Sequence, residues 1–173
     1  MHKRTLLLAT LGTAAAATLS ACGFRLRGVP HLAFSSLYVQ APAGSGVARE
    51  LIRTLQSVNA GLNLLTEPAQ LPQAQVVLDI LSEAPERVIV GQSATGQVRE
   101  LQLRLRLRFR LRDQAGQEWI APTEIVQTRD VSYSETIALS KEGEEALLFR
   151  NMQTDLVQQL MRRLATVKGP LRQ

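Results

Sequence analysis

Arg99-Glu100-Leu101-Gln102-Leu103-Arg104-Leu105-Arg106-Leu107-Arg108-Phe109-Arg110-Leu111-Arg112 is the longest regular pattern in the chain. Leu101, Leu103, Leu105, Leu107, Phe109 and Leu111 recur at every second position, with Gln102, Arg104, Arg106, Arg108, Arg110 and Arg112 between them. Side chains alternate faces along a strand, whereas a period of two would scatter the same residues around a helix. The stretch therefore reads as a strand with one leucine face and one arginine face. At ~3.3 Å per residue it spans roughly 46 Å, against a usual ~17–20 Å. Asp113-Gln114-Ala115-Gly116 then forms a hairpin loop, with Gly116 in the left-handed position of a three-residue turn. That register sets Arg112 opposite Glu118 and Arg106 opposite Glu124, and it puts Trp119 and Ile125 on the leucine side. Pro122 cannot donate a ladder hydrogen bond, so the returning strand is at an edge or bulged there, and a bulge would shift the pairing beyond it.

The flanking segments supply what the leucine face packs against. Residues 33–40 predict a first strand, ended by Pro42 and Gly44. A helix follows from about Ser45 to Asn59, its stripe running Val47, Leu51, Leu55 and Val58 with Ile52 widening it. Ser45 serves as N-cap and Gly61 as the stop. Gln75 to Leu81 predicts a second strand, which Glu86 to Val90 extend past a break at Pro85. The last element is a helix from about Glu142 to Val167, with the stripe Phe149, Met152, Leu156, Leu160, Leu164 and a stop at Gly169-Pro170. Glu142, Glu144 and Glu145 in its first turn and Arg162, Arg163 and Lys168 near its end suit the helix dipole. One leucine face and two amphipathic helices predict an α+β two-layer sandwich: about a four-stranded mixed sheet with both helices packed on one face.

At the N-terminus, Lys3 and Arg4 precede an apolar stretch from Leu6 to Leu11 and small residues up to Cys22, the only cysteine. This is the layout of a secretory signal, too short to span a bilayer comfortably. Leu19-Ser20-Ala21-Cys22 resembles the bacterial lipobox at all four positions. The resemblance implies that Cys22 receives a diacylglycerol, that the signal 1–21 is cut away, and that the new amine is acylated. Removing residues 1–21 from the 173 leaves 152, one domain covering 22–173, and lowers the net charge from +5 to +3. With Cys22 lipidated, no thiol remains for a disulfide, a metal or a nucleophile, so packing alone holds the domain. A basic balance often suggests nucleic acid, but an exported lipoprotein meets phospholipid headgroups and lipopolysaccharide phosphates instead.

Catalytic chemistry is hard to assemble from the remainder. His31 is the only histidine after the signal and has no carboxylate close in sequence. There is no Gly-x-Ser-x-Gly elbow, phosphate-cradling glycine loop or His-Glu-x-x-His motif, so neither an enzyme nor a cofactor site is expected. The three apolar stripes serve as core, since a domain this small needs them there. The arginine ladder is the candidate site: Arg104, Arg106, Arg108 and Arg110. Guanidinium forks suit phosphate and carboxylate bidentately, and aligned arginines repel one another and gain from an anionic partner. A solvated face of an antiparallel sheet, partly neutralised by Glu118 and Glu124, accounts for the same pattern.

Several segments together resemble the LptE family of lipopolysaccharide-assembly lipoproteins. They are Cys22-Gly23-Phe24-Arg25-Leu26-Arg27-Gly28, the strand and helix from Leu37 to Gln56, and Arg112-Asp113 with Gly116. Most specific is Tyr133 to Leu164, with Ala138-Leu139, Glu144-Glu145, Leu148, Met152, Asp155 and Arg162-Arg163-Leu164. The match covers the mature chain in order, but this chain is poor in lysine, so no role of a particular lysine transfers. The resemblance implies a lipoprotein at the periplasmic side of the outer membrane, where Gly23 rather than aspartate after the cysteine also directs it. It further implies a β-barrel partner, LptD, whose lumen the lipoprotein plugs and whose assembly it aids, with lipopolysaccharide delivered to the outer leaflet. The arginine face would then meet acidic barrel-wall residues or lipid A phosphates. A lipoprotein subunit of a phospholipid-trafficking transporter shares the small α/β format and the lipobox.

Overall fold

A computed structural model of the protein describes residues 32–58, 61–132 and 138–171, with side chains from 143 onward in the last segment. Cys22, the signal and His31 lie outside them. The long alternating stretch is a strand, β4 (Val98–Asp113), paired antiparallel on both sides with β3 (Val76–Gln92) and β5 (Glu118–Ser132). A parallel pair, β1 (Ser36–Gln40) and β2 (Asn63–Leu65), extends the sheet past β3 to the order β2-β1-β3-β4-β5. The sheet is thus mixed, as expected, but has five strands rather than four. The missing one is β2, whose three residues are too few to show alternation.

Two helices cover the leucine face. The first, α1 (Gly46–Val58), buries Val47, Ala48, Leu51 and Leu55, while Val58 is left exposed. The second, α2 (Ala138–Thr166), buries Met152, Leu156, Leu160 and Leu164 fully. Its 29 residues, rising about 1.5 Å each, make a rod nearly as long as β4, so one helix can line most of the hairpin. It starts earlier than expected, so the glutamates at 144 and 145 lie beyond its first turn and Glu145 instead pairs with Arg87 on β3. Leu103, Leu107, Phe109 and Leu111 are completely buried between sheet and helices. The buried residues of this main core run from Phe34 to Leu164, and Leu32 and Val167 pack against it from outside that span.

The turns follow the glycines. In both long hairpins the residue before the loop and the one after it pair through the backbone, and a glycine takes positive φ: Gly96 at 80° between β3 and β4, Gly116 at 84° between β4 and β5. Glycine alone adopts that conformation without steric cost. Ser45 caps α1 as expected, its Oγ accepting from Ala48 N–H at 3.0 Å.

Pairing departs from the simple register in two places. β3 runs through Pro85 without a break, because beyond Asp79 it has no partner on its outer side and a proline is tolerated at an open edge. A bulge between Ile80 and Ser82 then inverts the alternation of β3, so Ala84 and Glu86 join the arginine face while Glu83 turns to the helix face. There Glu83 Oε2 accepts from Ser45 Oγ (2.6 Å) and Val47 N–H (3.3 Å), adding a carboxylate to the positive end of α1. On β5, which is an edge strand, the register shifts by one residue at Pro122 and by a second between Ile120 and Glu118. Arg112 still faces Glu118, but Glu124 faces Arg108 and not Arg106, which sits opposite Val126. Ile125 remains on the leucine side opposite Leu107, and Trp119 packs against the same core.

Truncating Leu107 to alanine removes a fully buried side chain from the centre of this core, and we expect a loss of about 2–5 kcal/mol. Val126→Ala, on the opposite face and 40% exposed, should shift stability by no more than about 0.5 kcal/mol. Urea unfolding midpoints of the two variants measure the difference.

Candidate functional site: the arginine face of β4

The ladder divides into tethered and free guanidiniums. At one end Asp79, on β3 opposite Arg110, is buried, and both Arg110 Nε (2.7 Å) and Arg112 Nε (2.8 Å) donate to its Oδ2. Arg112 Nη2 adds a longer bond to Oδ1 at 3.4 Å. A buried carboxylate needs several donors to offset lost hydration, and this one has them from two neighbouring rungs. Arg106 lies between two acids, with Nε 3.1 Å from Glu86 Oε1 and Nη1 3.4 Å from Glu124 Oε1. The Glu124 contact is diagonal, so the electrostatic pair expected from the sequence forms even though the register places Arg108 opposite that residue.

Arg104 and Arg108 are different. Arg104 Nε donates to the neutral amide oxygen of Gln102 at 2.7 Å, and Gln102 in turn donates to Asp130 at 2.8 Å. Arg108 is exposed, stands between Ser82 and Glu124, and has no hydrogen bond or ion pair among the described residues. Of the four sequence-chosen arginines, Arg110 is structural, Arg106 is largely compensated, and Arg104 and Arg108 keep charge available for an outside anion. Asp79 was missed as the anchor of the ladder. Its single signal was an aspartate within a β-branched and aliphatic run, where a carboxylate is rarely buried unpaired.

The helix face carries its own ion pairs. Arg87 Nε lies 2.7 Å from the buried Glu145 Oε2, off the donor axis, and Arg129 Nη2 lies 2.6 Å from Asp155 Oδ2. These tie α2 to the strands on either side of β4. Among the described residues no group of three or more His, Cys, Asp or Glu could hold a metal, and no helix is long and apolar enough to cross a membrane.

The fold, an open mixed sheet with two main helices, is shared with bacterial lipoproteins of solved structure. Lipoprotein B from Nitrosomonas europaea, solved by NMR, is 30% identical with a TM-score of 0.69 over 83% of this chain and 90% of that one. A minor lipoprotein from Acinetobacter baumannii (23% identical, TM-score 0.65, 83% and 99%) and rare lipoprotein B from Shewanella oneidensis (22%, 0.62, 76% and 94%) share the fold. A search of curated proteins finds no match. The family model described as "LptE: Lipopolysaccharide-assembly" matches residues 34–164, and the chain belongs to that family of lipoproteins that take part in lipopolysaccharide assembly.

Removing Asp79 strands two guanidiniums beside one another, one of them only 22% exposed. Asp79→Ala should cost roughly 1–3 kcal/mol, whereas Glu86→Ala, which opens a pair more than a third exposed on both sides, should cost no more than about 1 kcal/mol. Thermal unfolding of both variants at the same ionic strength decides the order.

Proposed function

We propose that this protein is an outer-membrane lipoprotein, anchored through acylated Cys22 after loss of residues 1–21, whose single domain 22–173 partners an LptD β-barrel. In that role it plugs the barrel, aids its assembly and helps to place lipopolysaccharide at the cell surface. The single observation that carries the reading is the family match over 34–164. The arrangement of charge supports it: the lumen of a large barrel is polar, and a hydrogen-bonded, cation-rich face suits such a lumen. Arg104 and Arg108 are the residues through which the face meets an anion, a lipid A phosphate or a carboxylate of the barrel wall. Arg106 and Arg110 hold the ladder in shape beside them. The phospholipid-transporter reading rests on the small α/β format and the lipobox, and no observation favours it.

Removal of both charges, Arg104→Gln with Arg108→Gln, should leave the unfolding temperature within a few degrees of the parent, since neither residue is ion-paired among the described residues and no like charge is set opposite Glu86 or Glu124. The same variant should reduce lipopolysaccharide capture or barrel co-purification from detergent extracts about tenfold. Retention of both at parental levels would sink the arginine assignment. Separately, in cells depleted of the barrel partner, Cys22→Ser should move the protein from the membrane to the soluble envelope fraction, because the acyl chains are then its attachment. Unchanged sedimentation with membranes would contradict the anchor.

A further inference from the structure

A groove of about 820 Å³ lies at the end of the domain where the start of β5, the last turn of α2 and the C-terminal segment meet. Trp119, Ile120, Val167 and Leu171 give it an apolar lining, Arg163 and Lys168 stand among the lining residues, and no carboxylate is among them. Leu171 is fixed rather than loosely placed: its N–H donates to Glu118 O at 2.8 Å and its carbonyl accepts from Gln117 Nε2 at 3.4 Å. That pairing occupies the edge of β5 at Glu118, so an extended peptide cannot add there as a further strand. The indole Nε1 of Trp119 is buried and has no hydrogen-bond partner among the described residues. Buried indole N–H groups are ordinarily paired, so the site lacks an acceptor.

We infer that this groove takes a single acyl chain of an amphiphile whose phosphate headgroup is net anionic, the chain lying along Trp119, Ile120, Val167 and Leu171 and the headgroup meeting Arg163 and Lys168. Charge complementarity selects the occupant. Two cations with no acid in the lining favour an anion, and four apolar residues beside them favour a hydrocarbon chain on the same molecule. The helix dipole explains a cation in the last turn of α2, but Lys168 lies beyond the helix end, in the stretch before Gly169-Pro170. The volume falls in the range of about 300–1,000 Å³ that small-molecule sites occupy, which suits one chain and a headgroup rather than a multi-chain glycolipid. The inference is independent of the arginine face, which is formed by the other side of the sheet.

Trp119 is the only tryptophan and therefore reports on its own groove. The domain from Gly23 onward, which contains the entire core, is titrated with lysophosphatidylglycerol brominated on its acyl chain, below the micelle concentration. Saturable quenching of Trp119 emission is expected. Binding should be about tenfold weaker for the brominated lysophosphatidylcholine analogue, and weaker by a similar factor in the Arg163→Gln, Lys168→Gln double variant. Both residues are exposed, so this variant should keep the parental unfolding temperature and its unliganded emission. Absent or non-saturable quenching overturns the acyl site. Equal affinity for the two headgroups, unaltered by the double variant, overturns the anionic occupant.

Discussion

One strand with two incompatible faces governs this molecule. β4 must keep its leucines toward the helices, because a slip of one residue would bury a row of arginines and expose a row of leucines. Both neighbours reinforce that choice. Val76, Leu78 and Ile80 of β3 pack into the same core, and Asp79 between them fixes Arg110 and Arg112 on the far side. A buried carboxylate with two guanidinium donors tolerates only one register, so a polar contact specifies what the apolar face alone leaves to packing. The ion pairs of Arg87 with Glu145 and of Arg129 with Asp155 then set α2 along the ribbon from both flanks.

The cost of stacking arginines on alternate positions explains the distribution of acids around them. Five guanidiniums from Arg104 to Arg112 share a face with Asp79, Glu86 and Glu124, all in contact with the ladder. The bulge at Leu81 is what makes part of this compensation available. Had β3 kept strict alternation, Glu86 would have turned toward the helices and Glu83 toward the arginines. The extra residue sends each acid to the place where a positive field awaits it, Glu86 to Arg106 and Glu83 to the N-terminus of α1. Leu81 itself is left 40% exposed as a consequence. Compensation stops short of Arg108, and the stripe remains basic there.

Much of this was legible in the sequence because the signals were local. Period two over β4, helical stripes in α1 and α2, the cap at Ser45 and the left-handed Gly116 each depend on residues within a few positions of one another. What escaped depended on partners distant in the chain. β2 exists because β1 offers it a parallel edge, with Ser36 opposite Asn63, and three residues carry no pattern of their own. Pro85 suggested a break because its tolerance rests on an open edge that only the strand order reveals. The one-residue shift at Pro122 was foreseeable as a bulge, but a second one between Ile120 and Glu118 was not, so the facing partner of Glu124 changed while its salt bridge to Arg106 survived on the reach of the side chain. The division of the arginine face into tethered and free residues required Asp79, thirty-one positions from Arg110.

The two basic features lie at different distances from the membrane-proximal end that a lipid at Cys22 would define. Phe34 packs edge-on against Trp119 with ring centroids 6.3 Å apart, so the first described residues enter the domain beside the apolar groove. The nine residues between Cys22 and Leu32 allow a separation of at most roughly 35 Å, so a lipid at Cys22 would hold that end within a short reach of a bilayer surface. Arg112, opposite Glu118, belongs to the same end of the sheet, and the strand carries the ladder away from it at ~3.3 Å per residue. Arg108 and Arg104 therefore stand roughly 13 and 26 Å along the strand from the anchored end. The groove and the free arginines thus stand at different points along the ribbon, the groove beside the first described residues and the arginines farther along β4. The ladder's compensation follows no such gradient: Asp79 serves Arg110 and Arg112, Glu86 and Glu124 serve Arg106 farther along, and Arg108 between them is left without an acid, so its position depends on local pairing and not on distance along the strand.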